Sequence, residues 1–354
     1  MACSTNTPFF LRERDPAVYT PDMTGFAVLF AAAADAAFAA TGLLLRQLRR
    51  RAILDHPNER SSHSLPTPRG GGLAIVPVVV IAWTVVGVMG DAAPPMFVVV
   101  ALAVVLAVVF WIDDLRGLPV AVRLAVQAAA IAVVLIAAPS DRAYISAALP
   151  SAVDLLLAGV FWLWFVNLFN FMDGIDGLAG GETASIGFGA AIVVFVGGVA
   201  GNLPALGIAL AAAALGFLIW NWQPAKVFLG DVGSVPLGFV TGWLLLELAA
   251  HGQGVAALIL PLYYLADATV TLARRAARGE RVWQAHREHF YQRAVQRGHS
   301  HAAVVRHVLA VNVVLVGLAA VAAAGRPGIA FAGAVLAVGT LLFFLGWPGG
   351  NGSE

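Results

Sequence analysis

The sequence predicts an all-α, polytopic integral membrane protein with about eleven transmembrane helices. Of its 354 residues, 60% are hydrophobic and only 12% are charged, and the mean hydropathy is +0.84. An average soluble domain carries about twice that share of charged residues, so the composition excludes a soluble enzyme and a disordered chain. The apolar runs are continuous over about 20 residues, the length of a membrane-crossing helix. A membrane β-barrel would alternate apolar and polar residues instead.

Eleven apolar runs are long enough to cross a bilayer. They lie at residues 24–45, 71–89, 95–112, 119–138, 151–168, 183–200, 203–221, 235–250, 254–272, 304–324 and 328–347. We assign residues 23–350 to one transmembrane domain. Residues 1–22 form a polar extension without the apolar core of a signal peptide, and Met23 is an alternative native start.

The basic residues are distributed unequally between alternate loops. Of the 21 Lys and Arg, all but Arg12, Arg14, Arg142 and Arg326 fall on one side. By the positive-inside rule this side is cytoplasmic, which places the N-terminus outside and the C-terminus in the cytoplasm. The cytoplasmic loops are then 46–70, 112–118, 169–182, 222–234 and 273–303. Polar residues gathered on one face favour an interfacial active site, because channels and transporters usually place them at the midplane.

An acidic pair, Asp113 and Asp114, stands at the cytoplasmic end of the third span. Adjacent carboxylates repel each other and are costly to desolvate at a membrane edge. They therefore require a metal ion or an arginine nearby. Taken alone, the pair leaves a solvated helix end open as the alternative.

A second polar run follows the fifth span, where Asn167, Asn170, Asp173 and Asp176 are spaced by three. Steps of three keep neighbours close on a helix, but each step drifts by about 60°, so a straight helix would not bring all four together. The glycine after each aspartate can break the helix. The predicted result is a pocket of oxygen ligands, which suits Mg²⁺ or Mn²⁺. The spacing of an EF-hand calcium loop is absent.

The third cluster spans residues 224–234 and contains Lys226, Phe228 and Asp231. Lys226 can meet a phosphate, and Phe228 can stack on a flat base. Glycines on both sides of Asp231 let the backbone approach a ligand closely. An ordinary interhelix turn is the alternative.

The fourth cluster, His286, Arg287 and His289, lies in a basic loop. Its donors can hold a diphosphate, with Arg binding it bidentately. Contact with anionic lipid is the alternative. That alternative explains Arg274 and Arg275 well, but it explains the paired histidines poorly.

Three further features receive more modest interpretations. Residues 55–72 mix Pro and Gly with Asn, Arg and His, which predicts an irregular but ordered segment. Asp35 lies in the middle of the first span, where an acid is functional by default, although a packing role is at least as favoured. Asp267 is predicted to orient the basic loop that follows it.

These clusters, in this order, resemble the polyprenyl-phosphate N-acetylhexosamine-1-phosphate transferase family over about residues 50–300. The last loop departs from the enzyme of this family that forms lipid I, the phospho-muramyl-pentapeptide transferase, which has consecutive histidines there. It is more similar to the branch that starts O-antigen with N-acetylfucosamine or N-acetylquinovosamine.

The resemblance implies an activity and its partners. Such enzymes transfer an N-acetylamino-sugar-1-phosphate from a UDP-sugar to undecaprenyl phosphate, giving a polyprenyl-diphosphate-sugar and UMP. They require Mg²⁺, for which Mn²⁺ can substitute, and act at the cytoplasmic face of the bacterial inner membrane. Membrane lipid is then a partner and nucleic acid is not, with a homodimer left open. The alternatives are the lipid I-forming transferase and, from a different class, a transporter of anionic solutes.

The resemblance also implies roles for individual residues. It implies catalytic roles for Asp113, Asp114 and Asp173, metal binding by Asp231 and Asn170, nucleotide binding by Asp176, Phe228, Asn167 and Lys226, and diphosphate binding by His286, Arg287 and His289.

Overall fold

The fold is all-α, as predicted. The computed structural model describes residues 11–15, 18–21, 23–55, 66–90, 94–139, 142–282, 284 and 286–346. Parts of the predicted N-terminal extension and of the loop 46–70 therefore lie outside the described residues. The helices are α1 (Met23–Arg50), α2 (Gly72–Met89), α3 (Pro94–Arg116), α4 (Val120–Ala137), α5 (Ser151–Met172), α6 (Leu178–Val196), α7 (Leu203–Asn221), α8 (Asp231–Leu248), α9 (Gly254–Ile259), α10 (Leu262–Ala277), α11 (Phe290–Gln296), α12 (His301–Ala323) and α13 (Pro327–Gly346).

Strands are few and short. Strands β1 (Leu11–Asp15) and β2 (Val18–Pro21) form an antiparallel hairpin before α1. Strands β3 (Leu54–Asp55) and β4 (Thr67–Pro68) pair in the loop between α1 and α2. This second pair supports the prediction that the segment is ordered but irregular, as far as the described residues reach.

Ten helical segments in the described part of the chain are long and apolar enough to cross a membrane, and each coincides with a predicted span. The ninth predicted span, 254–272, is not one continuous helix. It is divided between α9 and α10, with Leu260 and Pro261 between them. Proline lacks the N–H that would continue the hydrogen-bond ladder and its ring clashes with the preceding turn.

The broken segment still returns the chain to the side on which α8 begins. Near the far end of α8, Glu247 pairs at 2.7 Å with Arg142, which lies in the connection between α4 and α5. A wide turn at Ala249–Gln253, with Gly252 at φ +79°, then folds α9 back against α8. Helix α10 continues towards the basic loop. Together, α9 and α10 take the place of the ninth predicted span.

Several helices extend further into the predicted cytoplasmic loops than the apolar runs suggested. Helix α3 contains both acids of its cluster, α5 continues through Asn170, and α8 begins at Asp231. The predicted loops at 112–118, 169–182 and 222–234 therefore include the ends of helices. The physical reason is that backbone hydrogen bonds continue a helix beyond the point where its side chains stop being apolar.

The centre of the bundle is α8, which is buried along almost its whole length. Helices α6 and α7 pack together through small residues, and a side chain at Gly187 would come within 2.5 Å of the Gly207 carbonyl oxygen. Close contact of this kind is typical of membrane helix pairs. The rigid core places the first residue of α8, Asp231, in the middle of the polar face.

Candidate active site

The N-terminus of α8 is held by a carboxylate from another helix. Asp114, near the end of α3, accepts hydrogen bonds from the backbone N–H groups of Asp231 at 3.1 Å and Val232 at 3.0 Å. These donors have no partner within α8 itself. Gly230, at φ +74°, lies so close that a side chain there would come within 2.8 Å of the Asp114 carboxylate.

Two arginines join the three carboxylates of this cluster. Arg69 lies 2.7 Å from Asp114 and 2.9 Å from Asp231 through the same nitrogen. Arg123, in the first turn of α4, lies 3.5 Å from Asp113 and 3.8 Å from Asp231. One Asp113 oxygen accepts from the Leu118 N–H, while the other, Oδ2, is buried without a hydrogen bond. We call these five charged residues, Asp113, Asp114, Asp231, Arg69 and Arg123, the carboxylate centre.

Arg69 is positioned by a backbone contact between two glycine-rich segments. The Gly70 and Gly71 N–H groups both donate to the Phe228 carbonyl, and the Phe228 N–H donates to the Pro68 carbonyl. A side chain at Gly72 would come within 2.3 Å of the Gly233 backbone. The segment before α2 and the one before α8 thus fit together only with glycine at this point.

The turn between α5 and α6 brings Asp173 towards the carboxylate centre. Helix α5 ends at Met172, and Gly177, at φ +83°, precedes the start of α6. The predicted helix break is therefore confirmed. Burial, and then the neighbouring Asp231 carboxylate, raises the pKa of Asp173 to about 7. Asn170 lies one turn earlier on α5, and its carbonyl accepts from the Asp173 N–H.

Asp176, Asn167 and Lys226 all make contacts within the protein. Asp176 accepts from the Ala225 N–H at 3.0 Å and lies 3.3 Å from His301. The Asn167 amide donates to Gln127 of α4 at 2.7 Å. The Lys226 ammonium lies 5.1 Å from the centre of the Trp220 ring. Each of these predicted nucleotide-binding residues thus contacts another part of the protein.

The basic loop is anchored by Asp267, as predicted. The Asp267 carboxylate accepts from the Phe290 N–H at 3.0 Å and the Tyr291 N–H at 3.3 Å. It also lies 3.2 Å from Nδ1 of His289, whose side chain is buried. Because the acid sits on α10, it sets the position of His289 relative to the membrane helices.

A tyrosine connects the basic loop to the turn after α5. The Tyr291 hydroxyl donates to the Phe171 carbonyl at 2.9 Å. A side chain at Gly174 would come within 2.2 Å of this hydroxyl, so the glycine after Asp173 admits the tyrosine. His286, His289 and Tyr291 stand side by side, with ring centres 4.9 and 5.7 Å apart. The basic loop therefore lies next to the Asp173 turn.

A group of ion pairs connects the end of α10 to the basic loop that follows it. Arg275 is buried and lies 2.8 Å from Glu280 and 3.6 Å from Glu288. Arg278 pairs with the same two acids. Arg275 and Arg278 thus have acidic partners within the chain. The alternative that this loop binds anionic lipid is therefore not needed to explain these two arginines.

The acids at 113, 114, 173 and 231 lie in a region that matches a known protein family. The glycosyl transferase family 4 pattern matches residues 96–249. A decaprenyl-phosphate N-acetylglucosaminephosphotransferase of Mycobacterium tuberculosis is 31% identical over 303 residues, which cover 75% of this chain and 74% of the relative.

The chain belongs to the polyprenyl-phosphate hexosamine-1-phosphate transferase family. It is a sugar-1-phosphate transferase. A Bacillus subtilis protein, named as a probable undecaprenyl-phosphate N-acetylglucosaminyl 1-phosphate transferase, is 28% identical over 70% of this chain and 71% of the relative. The phospho-N-acetylmuramoyl-pentapeptide-transferase of Synechococcus sp. strain CC9311 is 37% identical over 191 residues, only about half of either chain (49% and 51%).

The transferase site has the donor atoms for a hard divalent cation. No three His, Cys, Asp or Glu side chains in the described part of the chain are arranged as a ready metal cage. However, Oδ2 of Asp113 is buried without a hydrogen bond, and its ion-pair partner Arg123 is shared with Asp231. Four carboxylates (Asp113, Asp114, Asp173 and Asp231) face only two arginines, and all the donors are oxygen atoms. This surplus of negative charge and this chemistry fit Mg²⁺.

Sequence reasoning missed three positioning residues of the transferase site. The sequence predicts only that Arg69 lies in an ordered segment and that Arg123 lies on the basic side of the membrane. It assigns no role to His301. Each pairs with an acid that is distant in sequence: Arg69 and Arg123 with Asp231, and His301 with Asp176. The one available signal was that clustered carboxylates require cations.

Within the described part of the chain, the structure does not support a packing role for Asp35, which the sequence favours at least as much as a functional one. It is exposed on α1, and α1 packs on α2 and α7 through its other face. The transferase site does not include it.

Proposed function

We propose that this protein transfers an N-acetylamino-sugar-1-phosphate from a UDP-sugar to undecaprenyl phosphate, releasing UMP. The observation that carries the proposal is the carboxylate centre, in which Asp113 and Asp114 of α3 and Asp231 of α8 meet Arg69 and Arg123. This centre lies at the end of apolar helices, where a lipid phosphate and a soluble nucleotide can both arrive. The proposed product, a lipid-linked sugar diphosphate, initiates O-antigen or another cell-envelope polysaccharide.

The proposed step is a phosphoryl transfer between two anions. An oxygen of the lipid phosphate attacks the phosphorus bound to the sugar, and the bond bridging the two phosphates of the donor breaks. UMP leaves with the electron pair of that bond. The lipid phosphate has a second pKa of about 6, so much of it needs no deprotonation at neutral pH. We therefore assign Asp113 the role of orienting the acceptor, with Asp114 holding the N-terminus of α8 in place.

The fixed cations lower the barrier by offsetting charge that repels in the transition state. Arg69 and Arg123 already face the carboxylate centre, and Arg287 with His286 and His289 supplies donors for the diphosphate from the basic loop. Asp231 and Asn170 would hold Mg²⁺, which would supply further charge neutralisation of the phosphates. Asp176, Phe228, Asn167 and Lys226 are assigned to the uridine side, where Phe228 lies half-buried beside the Arg69 segment.

The donor sugar is best tested with a panel. Purified protein is incubated with undecaprenyl phosphate, Mg²⁺ and UDP-N-acetylglucosamine, UDP-N-acetylfucosamine, UDP-N-acetylquinovosamine or UDP-N-acetylmuramyl-pentapeptide, and UMP release is measured. We expect release with an N-acetylamino-sugar donor but not with the muramyl-pentapeptide donor. Release with the last donor alone would replace the proposal by lipid I formation. No release from any donor by folded protein would refute the transferase assignment for these substrates.

The proposed cytoplasmic location of the site has its own test. Cys3 is the single cysteine, so a Cys3→Ser background allows one new cysteine at a time. Arg116→Cys, exposed beside the carboxylate centre, and Ala148→Cys, exposed between α4 and α5, are matched reporters. In intact cells a membrane-impermeant maleimide should label only Ala148→Cys. Labelling of Arg116→Cys alone would place the site outside.

A further inference from the structure

A cavity of about 430 Å³ opens between α10, α11 and α13. It adjoins the Asp267 anchor, because Phe290, whose N–H donates to Asp267, is one of its lining residues. Its apolar wall includes Val270, Leu342 and Phe343, and its polar wall is formed by Arg274 and Arg293. The cavity lies at the end of α10 and α13 that adjoins the basic loop. One side of it therefore belongs to the membrane helices and the other to the polar face.

Arg274 and Arg293 differ from their neighbours in having no acidic partner in the described part of the chain. Arg275 and Arg278 share Glu280 and Glu288. Within the described residues, neither Arg274 nor Arg293 lies within ion-pair distance of a carboxylate. The Arg274 guanidinium rests on the Phe290 ring, 4.9 Å from its centre, and this contact holds it at the mouth of the cavity.

Arg274 and Arg293, which have no carboxylate partner among the described residues, lie beside the apolar wall of the cavity. This arrangement suits an amphiphile with an anionic head group. Guanidinium binds phosphate through paired charge-assisted hydrogen bonds. Basic pockets between membrane helices on the cytoplasmic side are suited to anionic lipid head groups. A soluble anion would use the arginines but leave the apolar wall exposed. A zwitterionic lipid would bring a second positive charge towards Arg274 and Arg293.

We propose that this cavity binds one anionic phospholipid of the bilayer, with its phosphate on Arg274 and Arg293 and an acyl chain along Val270, Leu342 and Phe343. The bound lipid would join α11 to α13 and α10. Since α11 begins directly after His289, the lipid would also brace the end of the basic loop. The inference concerns binding and does not depend on the proposed reaction.

The test measures lipid retention by full-length protein. Native mass spectrometry compares phosphatidylglycerol with phosphatidylcholine of the same acyl chains, for wild type and for the double variant Arg274→Gln/Arg293→Gln. We expect wild type to retain phosphatidylglycerol about tenfold more tightly, which corresponds to about 1.4 kcal/mol. The double variant should lose that preference, because it lacks the charge-assisted contacts. Arg306→Gln removes an exposed arginine of α12 and should retain the preference.

A second variant keeps both charges and fills the apolar wall. Gly339 lines the cavity, and a side chain there would meet no atom within 4 Å, so Gly339→Leu should fold and exclude the acyl chain. This variant should weaken phosphatidylglycerol retention about tenfold, which is the effect expected when about two fewer methylenes of the acyl chain are buried. Unchanged retention in either the double variant or Gly339→Leu would overturn the proposal, as would equal retention of the two lipids by wild type.

Competition with two other ligands tests whether the cavity binds something other than a phospholipid. Millimolar inorganic phosphate should not displace the lipid, and displacement would overturn the proposal in favour of a soluble-anion site. Undecaprenyl phosphate should not displace it at equal concentration. Displacement there would also overturn the proposal, because the cavity would then belong to the acceptor substrate.

Discussion

The carboxylate of Asp114 on α3 accepts a hydrogen bond from the backbone N–H of Asp231, at 3.1 Å, and so holds the N-terminus of the central helix α8. The same carboxylate lies 2.7 Å from Arg69, which also contacts the Asp231 side chain at 2.9 Å. One acid thus positions both the backbone and the side chain of the other. The two members of the acidic pair therefore have different roles. Asp114 holds the N-terminus of α8, whereas Asp113 is proposed to orient the acceptor.

We predict that Asp114→Ala lowers both stability and activity, whereas Asp113→Asn lowers activity alone. Loss of the hydrogen bonds from the N-terminus of α8 to Asp114 should lower the free energy of unfolding by about 1–2 kcal/mol. It also leaves the Arg69 charge without one of its two partners. Asp113→Asn keeps an oxygen to accept from the Leu118 N–H. Thermal unfolding in detergent and UMP release are measured for both. Equal unfolding temperatures for the two variants would contradict the assigned roles.

Arg69→Lys should lower kcat at least about tenfold, because the lysine side chain is one bond shorter and its ammonium does not reach the position of the Arg69 nitrogen that contacts both carboxylates. Arg69 bridges acids of α3 and α8, so the change should loosen the carboxylate centre without removing charge. Arg116→Lys, an exposed arginine on the same face, is the matched control and should be unchanged. Full activity of Arg69→Lys would show that charge alone suffices.

Asp231→Asn should abolish turnover and the dependence on Mg²⁺. The amide keeps the shape of the side chain but removes the charge that a hard cation requires. UMP release is titrated against Mg²⁺, and Asp35→Asn on exposed α1 serves as a control that retains substantial activity. Near-normal, Mg²⁺-dependent activity of Asp231→Asn would remove this residue from the proposed metal site.

Asp267→Asn should raise KM for the donor more than it lowers kcat. Asp267 acts through the loop that it anchors, accepting from the Phe290 and Tyr291 N–H groups beside His289. High donor concentration should therefore partly restore the rate. Tyr263→Phe removes one hydrogen bond to the same carboxylate and should have a smaller effect. A fall in kcat with unchanged KM would assign Asp267 to the chemical step.

His286 should make the folded protein less stable as the pH falls. Burial, then the neighbouring His289 and Arg275, lowers the pKa of His286 to about 4 from its ordinary value of 6.5. Between these values the unfolded chain binds the proton more readily, so stability contributed by neutral His286 is present above pH 6.5 and is lost towards pH 4. His286→Gln should show a smaller drop in unfolding temperature between pH 7 and pH 5. An unchanged drop would place the titration elsewhere.

The sequence alone determined the fold class, most of the helices and the polar clusters of the site. Continuous apolar runs specify helices through their length and hydrophobicity, which are local properties. The break after Asp173 also followed from local chemistry, because glycines stand where the helix has to end. The anchoring role of Asp267 was predicted from its position before the basic loop.

Only the tertiary structure decided which side chains meet. Arg69 and Asp231 are 162 residues apart in the chain, and His301 reaches Asp176 across a separation of 125 residues. Charge patterns indicate that a carboxylate needs a cation, but they do not identify which one, since that depends on how helices pack. The same reason explains Arg274 and Arg275: they are neighbours in sequence, yet Arg275 turns inward to Glu280 while Arg274 faces a cavity.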